Sequence, residues 1–202
     1  MHVALIGATG NAGSRILAEL TRRGHSVTAI VRNPERVPAQ ASVTAKKGDV
    51  FDQQGLAELL KGHDAVVSSV HFTASDPRKL IEAVRASGVK RYLVVGGAGS
   101  LEAAPGLKLI DAPDFPAEYK PEAAAGGVFL DVLRDEKELD WTFLSPSATF
   151  VPGERTGKFR LGRDQLVANE QGSSISFEDY AIALVDELEK PAHSRQRFTV
   201  GY

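Results

Sequence analysis

The sequence has no cysteine, and it has only one methionine and one tryptophan among its 202 residues. The absence of cysteine excludes disulfide bonds, thiolate nucleophiles and cysteine-ligated metals. No apolar run approaches the roughly 18 residues that span a bilayer. Positive charge is not in excess either, since 24 lysines and arginines stand against 26 aspartates and glutamates, a formal net charge of −2. We therefore expect no membrane insertion and no nucleic-acid binding, which needs a basic surface.

The composition that remains is that of a folded globular chain. Hydrophobic residues make up 43% of it and charged residues 25%, and no internal repeat is visible. This length predicts a single domain over residues 1–202. The first residues lack the charged and apolar regions of a signal peptide. We expect a cytoplasmic protein, monomer or homodimer, that acts on a small molecule.

Short apolar runs alternate with amphipathic segments along the chain. Strands are predicted at residues 3–6, 27–31, 43–47, 65–70, 91–95 and 141–144, and helices at residues 11–23, 53–60, 77–87 and 123–139. Continuous apolar strands between helices are typical of a parallel sheet covered on both faces. Right-handed crossovers then give an α/β doubly wound sheet, the Rossmann fold.

The C-terminal part of the sequence departs from this alternation. Short extended pieces are predicted at residues 159–161 and 166–168, a helix begins after Ser176, and a last strand at residues 197–200 is expected at an antiparallel edge. Residues 153–158 faintly resemble a phosphate-binding loop, but the spacing is one residue short. We expect this small extension, residues 145–202, to form the substrate side of the site.

One long connection, residues 96–121, contains four prolines. Inserts of this length in compact domains are usually functional. This one follows the carboxyl end of a predicted strand, where ligands bind in open α/β sheets. We therefore predict that it forms a lid-like insert.

Three glycines stand between the first predicted strand and the first predicted helix. Gly7 allows a tight turn, Gly10 lets the backbone approach a pyrophosphate, and Gly13 lets the helix pack closely on the strand. The N–H groups at the start of the helix would then face the phosphates. The alternative is a plain turn, but the strand and helix that the motif requires are both present. The predicted cofactor-binding residues of this loop are Gly7, Thr9, Gly10, Asn11, Ala12 and Gly13.

The end of the second predicted strand bears on the choice of cofactor. NAD-binding chains usually carry an acidic residue there for the ribose hydroxyls. Here Arg32 follows the strand, and Glu35 lies beyond its end. Arg32 and Arg36 are suited to clamp a 2′-phosphate, which favours NADP over NAD. The alternative is a pair of solvated surface arginines.

A weaker signal follows the third predicted strand. Asp49 is a candidate acceptor for the adenine amino group, with Val50 packing beside the ring. The alternative, an ordinary turn aspartate, is equally compatible with the sequence.

These motifs resemble those of the atypical short-chain dehydrogenases/reductases. The resemblance rests on residues 7–13, 31–34, 48–50 and 198–202, and extends over essentially the whole chain. Within that family the sequence is similar to the NAD(P)H-binding group of NADH-flavin reductases, and in turn to biliverdin reductase B and the NmrA-like proteins. The resemblance implies a fold and a cofactor but not a substrate. It also implies residues that line the nicotinamide and its ribose: Ser68, Ser69, Val70, Gly97 and Pro146.

Typical short-chain reductases use a Tyr-x-x-x-Lys dyad on one helix. Here Lys120 directly follows Tyr119, and position 123 is alanine. Neighbouring residues do not share a helix face, so the dyad is missing. Its absence argues against ordinary alcohol–ketone chemistry. Reduction of a flavin or quinone is less demanding, because the nicotinamide supplies the hydride and solvent can supply the proton.

The remaining polar candidates lie at the carboxyl ends of predicted strands or in the insert. His71 and Tyr119 are candidate catalytic residues, with a surface histidine and a packing tyrosine as the alternatives. Ser100 and Ser147 are candidate substrate contacts, although loop serines often only serve turns. The histidines show no metal-ligand spacing, and no metal site is predicted.

The sequence thus predicts an NADPH-dependent oxidoreductase that transfers hydride to a small planar acceptor such as a flavin or quinone. Two alternatives stay open. One is a nonenzymatic NAD(P)-binding redox sensor, and the other is an NAD(P)-dependent enzyme of the epimerase or dehydratase type.

Overall fold

The computed structural model describes residues 1–202. Its strands are β1 (His2–Ile6), β2 (Ser26–Val31), β3 (Val43–Lys47), β4 (Ala65–Ser68), β5 (Arg91–Val95), β6 (Glu102–Ala104), β7 (Leu107–Lys108), β8 (Asp140–Ser145), β9 (Thr149–Val151), β10 (Arg160–Gly162), β11 (Ser174–Ser176) and β12 (Gln196–Gly201). Its helices are α1 (Asn11–Arg22), α2 (Gln53–Leu60), α3 (Pro77–Ser87), α4 (Lys120–Asp135) and α5 (Phe177–Glu189). No helix is both long and apolar enough to cross a membrane.

Eight strands form the central sheet in the order β10-β12-β8-β5-β4-β1-β2-β3. Every neighbouring pair is parallel except β10 and β12. The chain moves outward from β1 to β3 and then crosses to β4 on the other side of β1, where Val3 pairs with both Val27 and Ala65. The sheet is doubly wound, as predicted, and its strand order reverses between β1 and β4. Ligands of such sheets bind in the crevice at this reversal.

The continuous apolar character of β1 follows from burial of both sheet faces. Val3 and Leu5 point into the core that α1 and α5 cover. Ala4 and Ile6 point into the opposite core, beneath α2, α3 and α4. Each buried aliphatic side chain of this kind contributes about 1.5–3 kcal/mol, so β1 is held firmly at the centre of the fold.

The insert at residues 96–121 is bound to the C-terminal part of the chain. β6 and β7 form a hairpin around Gly106, whose φ of +74° favours glycine. The Glu102 N–H donates to the Asp164 carbonyl at 2.8 Å, and the Leu166 N–H donates to the Glu102 carbonyl at 2.9 Å. Whether the insert closes over a ligand stays a prediction.

Several predictions for the second half were wrong. β12 is not an edge strand, since it lies between β8, to which it is parallel, and β10, which is the antiparallel edge. Residues 166–168 form no strand. Helix α4 begins at Lys120 rather than at 123, because Pro121 fits a first turn. The helix also ends at Asp135 rather than at 139.

Candidate dinucleotide-binding and active site

The three glycines after β1 serve different purposes. A Cβ atom on Gly7, where φ is +83°, would lie 2.0 Å from the Ser69 carbonyl oxygen. A Cβ on Gly13 would lie 2.1 Å from the Gly7 carbonyl oxygen. At Gly10 the nearest atom to such a Cβ is 3.5 Å away. Internal packing therefore requires Gly7 and Gly13, whereas Gly10 presents bare backbone to the outside of the turn.

The amino end of α1 carries free hydrogen-bond donors. Gly10 is its N-cap, so no side chain caps the helix, and its first turn holds no acidic residue. The Ser14 N–H bonds back to the Gly10 carbonyl at 2.9 Å, and the amides of Asn11, Ala12 and Gly13 precede that first bond. The positive end of the helix dipole points the same way. Such an end suits a pyrophosphate, and the Thr9 hydroxyl beside it makes no hydrogen bond within the protein.

Arg32 leaves the sheet beside the glycine turn. The Gly7 N–H donates to the Ile30 carbonyl, and the Gly48 N–H donates to the Val31 carbonyl, both at 3.0 Å. Arg32 therefore starts between these two turns, and Arg36 lies in the short 3₁₀ turn that follows. Both guanidinium groups are exposed, and neither makes an ion pair or hydrogen bond within the protein. Two unpartnered cations thus follow β2, the strand that pairs with β1 next to the glycine turn.

Asp49 has a role within its own turn. Its Oδ1 accepts a hydrogen bond from the Phe51 N–H at 2.9 Å, which is the arrangement of an ordinary turn aspartate. Val50 packs partly buried against the core beneath α2 and α3. The adenine contact predicted for these two residues stays a prediction.

The other wall of the crevice is the segment after β4. Val70 borders the glycine turn, its Cγ1 lying 3.1 Å from where a Cβ on Gly7 would be. Gly97 follows β5, and Pro146 follows β8, at the same edge of the sheet. Ser69 continues from β4 through its N–H bond to the Ile6 carbonyl at 2.9 Å. These residues lie at the carboxyl ends of β4, β5 and β8, and their contact with a nicotinamide stays a prediction.

Three serines assigned to the site have hydroxyls engaged inside the protein. Ser68 is 2% exposed, and its hydroxyl bonds to the Tyr92 hydroxyl at 2.8 Å. Ser147 is 1% exposed and donates to the Val200 carbonyl at 2.9 Å. The Ser100 hydroxyl accepts from Arg197 Nη1 at 3.1 Å. The Ser147 hydroxyl, a candidate substrate contact, is thus buried and occupied within the protein, and the lining role implied for Ser68 stays a prediction.

The two candidate catalytic residues are both exposed. The His71 side chain is 85% exposed, and its Nδ1 lies 3.4 Å from Oε1 of Glu122. Tyr119 is 62% exposed, directly before α4, and its hydroxyl makes no hydrogen bond within the protein. The sequence does not indicate Glu122, because this residue lies 51 positions from His71 and belongs to no local motif.

Position 123 of α4 is alanine, where the dyad motif would place a lysine, and Lys120 is the first residue of the helix. A Cβ atom on Gly99 would lie 2.7 Å from the Ala123 methyl group, so these two residues approach closely. Chemistry without a tyrosine–lysine dyad stays a prediction.

The sequence model of a protein family described as NAD(P)H-binding matches residues 7–191. The chain belongs to this NAD(P)H-binding family. The match begins at Gly7, the first glycine of the turn. The family's cofactor fits the uncapped donors of α1 and the open backbone at Gly10, and the fold is the one that such proteins share.

Solved structures of members similar to this chain have varied descriptions. A Burkholderia pseudomallei protein described as a proposed exported protein is 47% identical, with both chains fully covered and a TM-score of 0.91. A proposed epimerase from Bacteroides thetaiotaomicron is 44% identical, covering 100% of this chain and 96% of the other, with a TM-score of 0.95. A proposed NADH-flavin reductase from Streptococcus pneumoniae is 41% identical, covering 100% and 99%, with a TM-score of 0.86.

Proposed function

We propose that the protein is an NADPH-dependent reductase whose acceptor is a small planar molecule such as a flavin or quinone. The observation that carries the proposal is the uncapped amino end of α1 at the reversal of strand order, with the unpartnered Arg32 and Arg36 beside it. The similar Streptococcus pneumoniae protein, itself a proposed NADH-flavin reductase, supports the reaction class.

In this proposal, different residues of the crevice bind different parts of the cofactor. Backbone amides at the start of α1 hold the pyrophosphate, and Arg32 and Arg36 hold the 2′-phosphate through charge-assisted hydrogen bonds. Val70, Gly97 and Pro146 flank the nicotinamide and limit the access of water. When bound, the reduced cofactor supplies a hydride to the acceptor. The protein's contribution is orientation and exclusion of water rather than covalent catalysis.

A redox sensor is the second candidate function. The absence of a tyrosine–lysine dyad from α4, where Ala123 packs on Gly99, favours a protein that binds the cofactor without turning it over. The similar Bacteroides thetaiotaomicron protein is a proposed epimerase. It suggests a third candidate function, that of an enzyme whose cofactor is recycled within one turnover.

Steady-state oxidation of NADPH with a panel of free flavins and quinones separates these candidates. We expect saturable oxidation with at least one acceptor and a lower rate with NADH. Tight NADPH binding without oxidation by any acceptor would favour the sensor. Conversion of a sugar nucleotide without net loss of NADPH would favour the epimerase. The variant Arg32→Asp tests the cofactor site, because it should lose NADPH-dependent oxidation while leaving the fold intact.

We place this activity in the cytoplasm, the location expected from the sequence. The competing expectation comes from the similar Burkholderia pseudomallei protein, a proposed exported protein. Fractionation of native cells decides between them, since recovery with the periplasmic or secreted material would contradict the cytoplasmic assignment.

A further inference from the structure

The carboxylate of Glu122 holds the segment that carries His71. Its Oε1 accepts from the Phe72 N–H at 2.7 Å, and its Oε2 accepts from the Thr73 N–H at 3.0 Å and the Thr73 hydroxyl at 2.7 Å. The His71 ring nitrogen Nδ1 lies 3.4 Å from the same Oε1. One carboxylate on α4 therefore organises three consecutive residues after β4.

Aromatic packing fixes the same segment from the other side. The Phe72 ring lies 5.4 Å from the Phe129 ring and 6.1 Å from the Phe143 ring, centroid to centroid. It also covers Gly126, where a Cβ would lie 3.0 Å from the ring. The backbone of His71 is thus anchored between the crevice and α4, while its imidazole stays 85% exposed.

The carboxyl group of Glu122 is charged at neutral pH. Burial opposes its ionisation, but hydrogen bonds from Thr73 and Phe72, together with the nearby His71 ring, outweigh burial and lower the pKa of Glu122 below its ordinary value. Glu122 forms the one ion-pair contact that the structure shows for His71, at 3.4 Å.

We infer that Glu122 is a positioning residue that holds the segment carrying His71 at the acceptor side of the crevice, where the His71 ring is the proton source for the reduction. The inference rests on the proposed function. It gives the carboxylate that joins α4 to the segment after β4 a role in the reaction as well as in the fold.

The step balances without a further reactant. The C–H bond at nicotinamide C4 breaks, and hydrogen leaves with the electron pair to the flavin or quinone, which becomes an anion while the nicotinamide is oxidised. The His71 N–H bond then breaks, its proton neutralises the reduced acceptor, and neutral His71 takes a new proton from solvent. The exposure of the ring makes this last transfer direct.

The first test is the pH profile of turnover in the complete enzyme. We expect kcat of the wild type to fall at alkaline pH, where His71 loses its proton. In His71→Asn we expect kcat to drop by about 100-fold or more with an unchanged KM for NADPH and no alkaline fall. In Glu122→Gln we expect a smaller loss of kcat, again with an unchanged KM for NADPH, because the segment that carries His71 loses its anchor. Asp131→Asn removes one charge from an exposed position on the same helix and should leave the profile unchanged.

The second test needs no cofactor. Nitrogen NMR signals of the His71 ring are compared at one pH in wild type, Glu122→Gln and Asp131→Asn. A displacement of the ring signals in Glu122→Gln alone supports the contact between the two side chains, and identical signals in all three overturn it.

The outcomes keep the two proposals apart. If none of the tested acceptors supports NADPH oxidation by the wild type, the proposed function is overturned, and the proton-donor role is overturned with it. A His71→Asn variant with normal turnover and a normal pH profile overturns this inference alone. Because His71 is so exposed, that variant should fold even if Glu122→Gln does not.

Discussion

At the scale of single residues, the three glycines of the cofactor loop differ in whether the fold or the ligand requires them. Gly7 and Gly13 leave no room for a methyl group, because backbone atoms lie within about 2 Å of a Cβ at either position. Gly10 does leave room. The spacing of the three glycines is visible in the sequence, but this difference between them is not, since it depends on where the segment after β4 passes.

Gly10→Ala should therefore damage binding and spare folding. The new methyl group meets no protein atom closer than 3.5 Å but occupies the space of the pyrophosphate. We expect the affinity for NADPH to fall by at least ~10-fold, which is about 1.4 kcal/mol, with the melting temperature nearly unchanged. Gly13→Ala is the contrasting variant and should lose stability as well. Unchanged affinity in Gly10→Ala would contradict the placement of the phosphates.

Arg32 should decide the preference between cofactors. Charge-assisted hydrogen bonds contribute about 1.5–3 kcal/mol each, so Arg32→Ala should weaken NADPH binding by roughly 10–100-fold and NADH binding far less. Calorimetric titration of the variant with both nucleotides measures the difference. Arg22→Ala, at the opposite end of α1, is the control. Equal losses for NADPH and NADH in Arg32→Ala would assign the arginine to another part of the cofactor.

At the scale of elements, the sequence was most informative where both ends of an element carry local signals. Asp76 caps α3 by accepting from the Arg78 and Lys79 amides, Pro77 occupies its first turn, and Gly88 ends it with φ of +82°. Each of these signals is readable without the fold. β9 and β11, of three residues each, pair only with one another, so no local pattern marks them. The contact between Glu122 and the segment after β4 is likewise visible only once α4 is in place.

The segment 153–158, which faintly resembles a phosphate-binding loop, binds a carboxylate of the protein itself instead of a phosphate. Its backbone N–H groups surround the side chain of Asp179, which is fully buried. Asp179 accepts from the Thr156 and Gly157 N–H groups at 2.8 Å each, from the Thr156 hydroxyl at 2.6 Å, and from the Tyr202 hydroxyl at 2.8 Å. The segment is thereby bound to the first turn of α5.

Asp179→Asn should destabilise the protein. An amide places N–H groups against donors that the carboxylate satisfied, and we expect a loss of about 2–4 kcal/mol in the free energy of unfolding. For a chain of this size that corresponds to roughly 5–15 °C in Tm. Glu154→Gln, exposed in the same segment, is the control. Thermal unfolding with no difference between the two variants would contradict the role given to Asp179.

At the scale of the whole molecule, acidic side chains join distant parts of the chain. Glu19 on α1 bonds to Arg155 at 2.9 Å, Glu178 on α5 bonds to Arg15 at 2.9 Å, and Glu189 bonds to His25 at 2.7 Å. The hydrogen bonds from Arg155 lower the pKa of Glu19 despite its burial. Burial acts to raise the pKa of Glu178 and of Glu189, but the bonds to Arg15 and His25 respectively outweigh it, so both are lowered.

These lowered pKa values predict sensitivity to acid. A carboxyl group with a lower pKa in the folded than in the unfolded state contributes its full stability above the ordinary glutamate value of 4.5. That contribution is lost as the pH falls through the lower folded pKa, because the unfolded chain binds the proton first. We expect the free energy of unfolding to be steady at neutral pH and to decline below about pH 4.5, with a shallower decline in Glu19→Gln. Denaturant unfolding across that range measures it, and an equally steep decline in the variant would contradict the assignment.

The central claim is that the amino end of α1 holds a pyrophosphate while Arg32 and Arg36 hold a 2′-phosphate. Calorimetric titration of the purified protein with NADPH and with NADH tests it most directly. The account predicts saturable binding of one NADPH per chain, tighter than NADH by ~10-fold or more. Absence of saturable binding with either nucleotide would contradict it.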